Sequence, residues 1–174
     1  SHLSPGVEAG FMEKFRIDSG GKHLKKILKK PENLGTGEEA KVSRLGPEHL
    51  VEVLQLYKES YPGNWFDPRM LETGEYFGVR ENARLVSIAG IHVYSPLLRV
   101  AALGNITTAI AQRKRGLATL TTRTLCRSLL KKAEHIGLNV GAENHFAISC
   151  YKKLGFEVVA PYQEFLIERK SAHC

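Results

Sequence analysis

The feature that most constrains this chain is a basic turn, Arg113-Lys114-Arg115-Gly116-Leu117-Ala118, set between an extended run and an amphipathic helical run. Val100 to Thr108 reads as a strand, and Leu117, Leu120, Leu125, Leu129 and Ala133 supply apolar positions of a following helix. A strand-to-helix turn of this kind aims backbone N–H groups and the positive end of a helix dipole at one point, which suits an anion. Gly116 permits close approach or an unusual dihedral, and Ala118 keeps the helix start small. Arg113 and Arg115 can fork to phosphate oxygens, with Lys114 adding charge. The turn is neither the Gly-rich dinucleotide fingerprint nor a P-loop, because their glycines and the Gly-Lys-Ser/Thr are absent. Taken alone, it reads equally well as a basic turn before a surface helix.

Composition narrows the classes. A chain of 174 residues suits one domain with an extension and can bury a substantial core. Its longest apolar stretches are interrupted by Ser, His, Asn or Arg, so no membrane span is expected. Lys plus Arg number 25 against 18 Asp plus Glu, a net charge of +7. Part of the excess is local, in Lys22, Lys25, Lys26, Lys29 and Lys30, which read as a solvated helix face. A nucleic-acid role is disfavoured, since neither interleaved aromatics nor a recognised module accompanies the charge. Cys126, Cys150 and Cys174 are too few for a disulfide framework, which points to a reducing, cytoplasmic setting. His23, His49, His135 and His145 lack metal-ligand spacing, so no metal is expected.

Along the chain, residues 1–40 read as an N-terminal extension, or a fragment of an additional domain with its linker. Ser1-His2-Leu3, without an initiator Met, reads as a cloning remnant or an internal start. Leu24, Ile27 and Leu28 recur at helical spacing, with Pro31 stopping that helix. The main domain spans residues 41–170 and a tail covers 171–174. It opens with a strand over 41–45 and a helix entered at Pro47. A short helix entered at Asp67-Pro68 follows. Then come a strand pair turning at Glu81-Asn82-Ala83, a strand over 100–108, and a helix from Gly116 to about Ile136 capped by Gly137. A short strand over 138–142, a helix from about Phe146 to Leu154, and a terminal hairpin around Pro161 complete the domain. The fold class is α/β (mixed α+β), a mixed sheet with helices on both faces.

A second segment sharpens the reading: Asn144-His145-Phe146-Ala147-Ile148-Ser149-Cys150-Tyr151-Lys152-Lys153-Leu154-Gly155-Phe156. Residues 113–118 match the Arg/Gln-x-x-Gly-x-Gly/Ala signature of the GCN5-related N-acetyltransferase (GNAT) superfamily. Residues 144–156 resemble its second signature, Asn-x-x-Ala-x-x-x-Tyr-x-x-x-Gly-Phe. The resemblance covers about residues 41–169. It implies the acyl-CoA N-acyltransferase fold, a central twisted mixed sheet splayed into a V, and acyl-CoA, usually acetyl-CoA, as cofactor. By that similarity Ile106, Thr107 and Thr108 lie along the pantetheine arm. Arg113, Lys114, Arg115, Gly116, Leu117, Ala118 and Thr119 surround the pyrophosphate. Asn144, Ser149, Tyr151 and Lys153 complete the cofactor set, with Asn144 either touching the arm or organising its own loop. One departure concerns the base: no carboxylate occurs between Val100 and Gln112, where such proteins often carry one, and the usual hydrophobic-x-Pro bend is missing.

The implied reaction is direct acyl transfer from CoA to an amine of unspecified identity. An ammonium has no lone pair, so a base or water chain must take a proton. Tyr151, with an ordinary phenol pKa of about 10, suits donation to the departing sulfur. The base candidates are His92 on the strand after the turn, and Glu75 (with Glu72) just before the strand pair. Asn105 and Thr107 could orient water or substrate. Cys150 reads as a small core residue rather than a nucleophile. The segment Tyr61 to Asp67 reads either as an acceptor wall or as core cover. The alternative function is a noncatalytic acyl-CoA-binding regulatory module, and a homodimer is left open.

Overall fold

The computed structural model describes residues 2–3, 15–35 and 39–169. Eight strands form one sheet in the order β1-β8-β2-β7-β6-β5-β4-β3. They are β1 (His2–Leu3), β2 (Phe15–Leu28), β3 (Val42–Arg44), β4 (Phe77–Glu81), β5 (Arg84–Ser95), β6 (Val100–Thr108), β7 (His135–Gly141) and β8 (Phe156–Arg169). Among the described residues β6 and β7 are the one parallel pair, and the other pairs are antiparallel. Among the described residues three α-helices cover the sheet: α1 (Leu50–Ser60), α2 (Leu117–Leu129) and α3 (His145–Lys153). This is the mixed, open sheet of the acyl-CoA N-acyltransferase fold.

β5 shows why two layers of cover are needed. Residues Leu85 to Ile91 are buried without a break, so both faces of the strand are shielded from water. One face meets α1, and the Tyr76 ring lies against Gly90 with Phe66 between it and Tyr57 of α1. The other meets α2, whose Thr121, Thr122, Leu125, Cys126 and Leu129 are buried. β4 and β5 join through Asn82 and Ala83, both at positive φ (49° and 62°), where the turn was expected.

The sheet opens at one place. β6 pairs with β7 from Val100↔His135 to Leu103↔Leu138 and then stops. Beyond that point β6 stays with β5 as far as Thr108↔Ser87, while β7 stays with β2 as far as His23↔Gly141. Each strand follows its outer neighbour, so a V opens between Gly104–Thr108 and Asn139–Gly141.

Three expected elements differ. The helix expected through Leu24, Ile27 and Leu28 is instead the end of β2, seated between β7 and β8. Ile27 and Leu28 are adjacent and so point to opposite faces of the strand, and together with Leu24 they imitate helical spacing; the register shift at Lys25/Lys26 leaves its extra residue, Val159, on β8. Its lysines are accordingly not one solvated face. Lys26 is buried, with its pKa lowered by desolvation and by Lys152, while Lys25 lies over the Tyr162 ring. The segment expected as an extension thus supplies a strand to the same sheet. The helix expected to reach Ile136 ends at Leu129. Ile136, Leu138 and Val140 are buried in alternation on β7, and Gly137 pairs with Ala102 and Ile27 rather than capping a helix. The terminal hairpin is replaced by the single strand β8, in which Pro161 pairs with Leu24 instead of turning. The tail at 171–174, with Cys174, lies outside the described residues.

Candidate functional site

The mouth of the V is built at the start of α2. Gly116 is the N-cap residue, left-handed at φ 79°, and a Cβ there would meet nothing within 4 Å. Glycine is therefore required by backbone conformation and not by crowding. No side chain caps α2. The N–H groups of Leu117, Ala118 and Thr119 find no acceptor among the described residues, and the helix bonds begin with Leu120 N–H to the Gly116 carbonyl at 3.0 Å. An anion is the natural complement of such an end.

The three basic residues of the turn play different parts. Arg113 turns back, donating to the Thr108 carbonyl at 3.3 Å and the Ser60 carbonyl at 3.2 Å. It thus ties the end of α1 to the end of β6. Thr107 adds a longer bond to the same Ser60 carbonyl at 3.4 Å. Lys114, at φ 66°, holds its ammonium 5.6 Å from the centre of the exposed Phe146 ring. Arg115 pairs with Glu81 at 2.7 Å and also meets Gln112. Thr108 shares a buried bond of 2.9 Å with Ser87, and Ile106, just before the two threonines on β6, is half-buried.

Across the opening, Asn144 is a helix cap: its Oδ1 accepts from Ala147 N–H at 3.1 Å. The loop-organising role is therefore the one seen for it. Ser149 and Lys153, four residues apart, share an exposed face of α3. Tyr151 points inward, 8% exposed, with its ring edge-on to Phe156 at 6.0 Å. Its hydroxyl has no hydrogen-bond partner among the described residues. Burial pushes this phenol well above its ordinary pKa, with smaller contributions from the nearby Cys150, Tyr61 and Cys126. It keeps its proton at neutral pH and remains a donor. Gly155 fixes the ring's support. It is left-handed at φ 93°, and its carbonyl accepts from Lys29 and Lys30 at 3.0 and 3.2 Å. A Cβ there would lie 2.1 Å from the Lys30 carbonyl oxygen.

The second chemical group sits where β6 leaves β7. Gly90 and Gly104 pair across β5 and β6. A Cβ on Gly90 would lie 2.1 Å from the Tyr76 ring, and one on Gly104 would lie 2.3 Å from the His92 ring. The two glycines make a trough in which both rings lie on the sheet. Asn105, at φ 54° beside a register shift, joins them. Its Oδ1 is 3.0 Å from His92 Nε2, its Nδ2 is 2.9 Å from the Tyr76 hydroxyl, and its backbone carbonyl accepts from Tyr57 at 2.8 Å. Sequence reasoning reached His92 and Asn105 but not their link through Tyr76. Neither the bulge nor the paired glycines has a local signal that predicts it.

Glu75 does not join this group. It is 2% exposed and turned toward the far end of α2. There Lys132 reaches it at 2.7 Å, Ser128 at 3.1 Å and Arg44 at 3.4 Å. This carboxylate is held by two cations near Leu129, at the end of α2 opposite Gly116, and its Oε2 has no partner among the described residues. Glu72 is exposed on the preceding turn. Phe66 packs on Tyr57 and Tyr76, so it covers the core, whereas Trp65 stands 85% exposed. Cys150 meets Thr119 at 3.2 Å, and burial raises its pKa, which disfavours the thiolate a nucleophile needs. Among the described residues no three His, Cys, Asp or Glu gather as metal ligands, and no helix is long and apolar enough to cross a membrane.

Comparison with known proteins agrees with this geometry. A family model described as FR47-like protein matches residues 76–165. A protein assigned to the GNAT family from Novosphingobium aromaticivorans DSM 12444 is 25% identical, with a TM-score of 0.79, over 91% of this chain and 69% of that one. A GNAT-family acetyltransferase from Colwellia psychrerythraea is 16% identical, with a TM-score of 0.69, over 95% of this chain and 62% of that one. The ribosomal-protein-S18-alanine N-acetyltransferase of Escherichia coli is 19% identical, with a TM-score of 0.58, over 75% of this chain and 95% of that one. The chain therefore spans roughly two thirds of the length of the first two of these proteins and is similar to most of the third. A search of curated proteins gives no match.

Proposed function

Because the chain belongs to the FR47-like family within the GNAT superfamily, we propose that it is an acyl-CoA-dependent N-acyltransferase moving acetyl from acetyl-CoA to an amine. Its residues fit such a cofactor on their own geometry. The uncapped start of α2 offers three free N–H groups to a pyrophosphate, and β6 from Gly104 to Thr108 presents an edge no longer taken by β7. Acetyl-CoA, when bound, supplies an acyl group activated as a thioester. The observation that carries the reading is this conjunction, an open helix start and an open strand edge meeting near a buried phenol without a partner.

The chain's residues divide the work. Leu117, Ala118 and Thr119 hold the pyrophosphate through their N–H groups, with Lys114 and Arg115 adding positive charge. Arg113 keeps α1 and β6 together at the mouth. Ile106, Thr107 and Thr108 provide the strand edge. Tyr151 donates its proton, or at least a hydrogen bond, to the departing sulfur. His92, over Gly104 at the point of splay, takes the proton from the acceptor amine. Release of CoA with a broad amine panel, measured beside acetyl-CoA binding, tests the reading. Binding without CoA release for any amine would instead indicate a noncatalytic acyl-CoA-binding module. A His92→Ala variant with unchanged turnover across pH would remove His92 from the base role.

A further inference from the structure

We infer that Tyr76 and Asn105 are positioning residues that hold neutral His92 in its Nε2–H tautomer, leaving Nδ1 as the basic nitrogen. The inference rests on the proposed role of His92, but the tautomer is decided by a chain of donors and acceptors that needs no substrate. The chain starts at a group with no choice. The Ile91 carbonyl can only accept, and the Tyr76 hydroxyl lies 2.9 Å from it. Burial pushes the Tyr76 phenol up to about 12, so it has a proton to give at neutral pH. The other acceptor within reach, the Met70 sulfur at 3.3 Å, is the weaker one.

With its one proton committed, the Tyr76 oxygen accepts from Asn105. The Asn105 amide must therefore present Nδ2 to Tyr76, at 2.9 Å, and Oδ1 to His92. An amide oxygen cannot donate, so His92 Nε2 carries the hydrogen across the 3.0 Å contact. Turning the amide over would set its oxygen against the phenol oxygen and its NH2 against His92, and the phenol would have to turn from the buried Ile91 carbonyl to donate to that amide oxygen. The backbone adds a second constraint. The left-handed conformation of Asn105 at φ 54° is one that Asn tolerates, and Tyr57 binds its carbonyl at 2.8 Å. Gly104 leaves room for the imidazole above the strand.

The consequence for acyl transfer is specific. Nδ1 has no partner among the described residues. It can accept the amine proton while Nε2–H stays on Asn105, so the network is the same before and after the transfer. An Nδ1–H tautomer would have no lone pair to offer at that nitrogen.

Ring nitrogen NMR shifts of His92 in the full chain, recorded at alkaline pH without substrate, test this directly. The expected result is a protonated Nε2 and an unprotonated Nδ1. The reverse assignment overturns the inference even if His92→Ala is inactive, whereas an Nε2–H ring in an enzyme indifferent to His92→Ala retains the tautomer lock and removes the base. Tyr76→Phe should mix the two tautomers and lower kcat by about 10- to 100-fold, with acetyl-CoA affinity unchanged. Asn105→Asp keeps an oxygen facing Nε2 and tolerates the same backbone, so it should keep the Nε2–H tautomer. A folded Tyr76→Phe variant that stays wholly Nε2–H would refute the relay. If that variant does not fold, the unmodified chain's own tautomer decides.

Discussion

Replacing Tyr151 with phenylalanine separates folding from chemistry at the most telling position of the site. The hydroxyl has no hydrogen-bond partner among the described residues, and the ring is 8% exposed. Removing it therefore breaks no internal bond. The hydroxyl is not one of the buried atoms left without a partner, so it meets solvent in the opening and its loss should change stability by no more than about 1 kcal/mol. In a chain of this size that keeps Tm within about 4 °C of the parent. The edge-on contact of 6.0 Å with Phe156 uses the ring alone and should survive. Catalysis should respond in the opposite way. If the phenol donates to the departing sulfur, its loss should lower kcat by about 100- to 1,000-fold, or about 3–4 kcal/mol. The start of α2 is untouched, so acetyl-CoA affinity should not change. Calorimetric CoA binding, thermal melting and CoA release across pH supply the three readouts. Unchanged turnover would refute the donor role. Lost CoA binding with a normal melt would show that the phenol holds the cofactor instead.

Further predictions follow from the same geometry. Glu75→Gln should lower stability by about 1–2 kcal/mol, less than for a fully buried pair because Lys132 and Arg44 reach water, and leave kcat in place. A normal melt with lost turnover would return Glu75 to the base role. Gly155→Ala should cost several kcal/mol, since its Cβ would lie 2.1 Å from a backbone oxygen at a residue with φ 93°. A melting point within a degree or two of the parent would contradict this. Alkaline stability should decline through Tyr76. Its phenol is raised from 10.0 to about 12 in the fold, so the unfolded chain ionises first. The stabilisation is whole below about pH 10 and is lost toward pH 12, by about 3 kcal/mol, with Tyr57 and Tyr151 acting in the same sense. Denaturant midpoints that stay flat from pH 9.5 to 11.5 would rule this out.

Legibility varied with how local the controlling physics was. The turn at Asn82-Ala83, the Gly116 helix start and the Gly155 helix end all depend on a few adjacent residues, and each is readable from them. β2 was hidden because Gly20 bulges out of it, because its apolar residues Leu24, Ile27 and Leu28 do not alternate, and because its partners β7 and β8 come more than a hundred residues later. The end of α2 was misplaced for a related reason. Ile136 suits a helical stripe and a strand face equally well, and the pairing with β6 decides between them. Glu75 shows the same limit in the site. Its neighbours in sequence place it beside the acceptor side, but in the run leading into β4 its side chain reaches Ser128 at the end of α2 while that of Tyr76 reaches the Ile91 carbonyl.

The amino-acid sequence by itself determined the basic turn at Gly116, the Asn144-to-Phe156 segment and its phenol, because spacing along one helix or turn fixes these. Only the tertiary structure decided where the sheet parts, that a basic N-terminal segment is a strand within it, and that His92, Asn105 and Tyr76 meet. Those outcomes depend on strand pairing and on a hydrogen-bond chain running from Ile91 through Tyr76 and Asn105, groups brought together only when β4, β5 and β6 are in register.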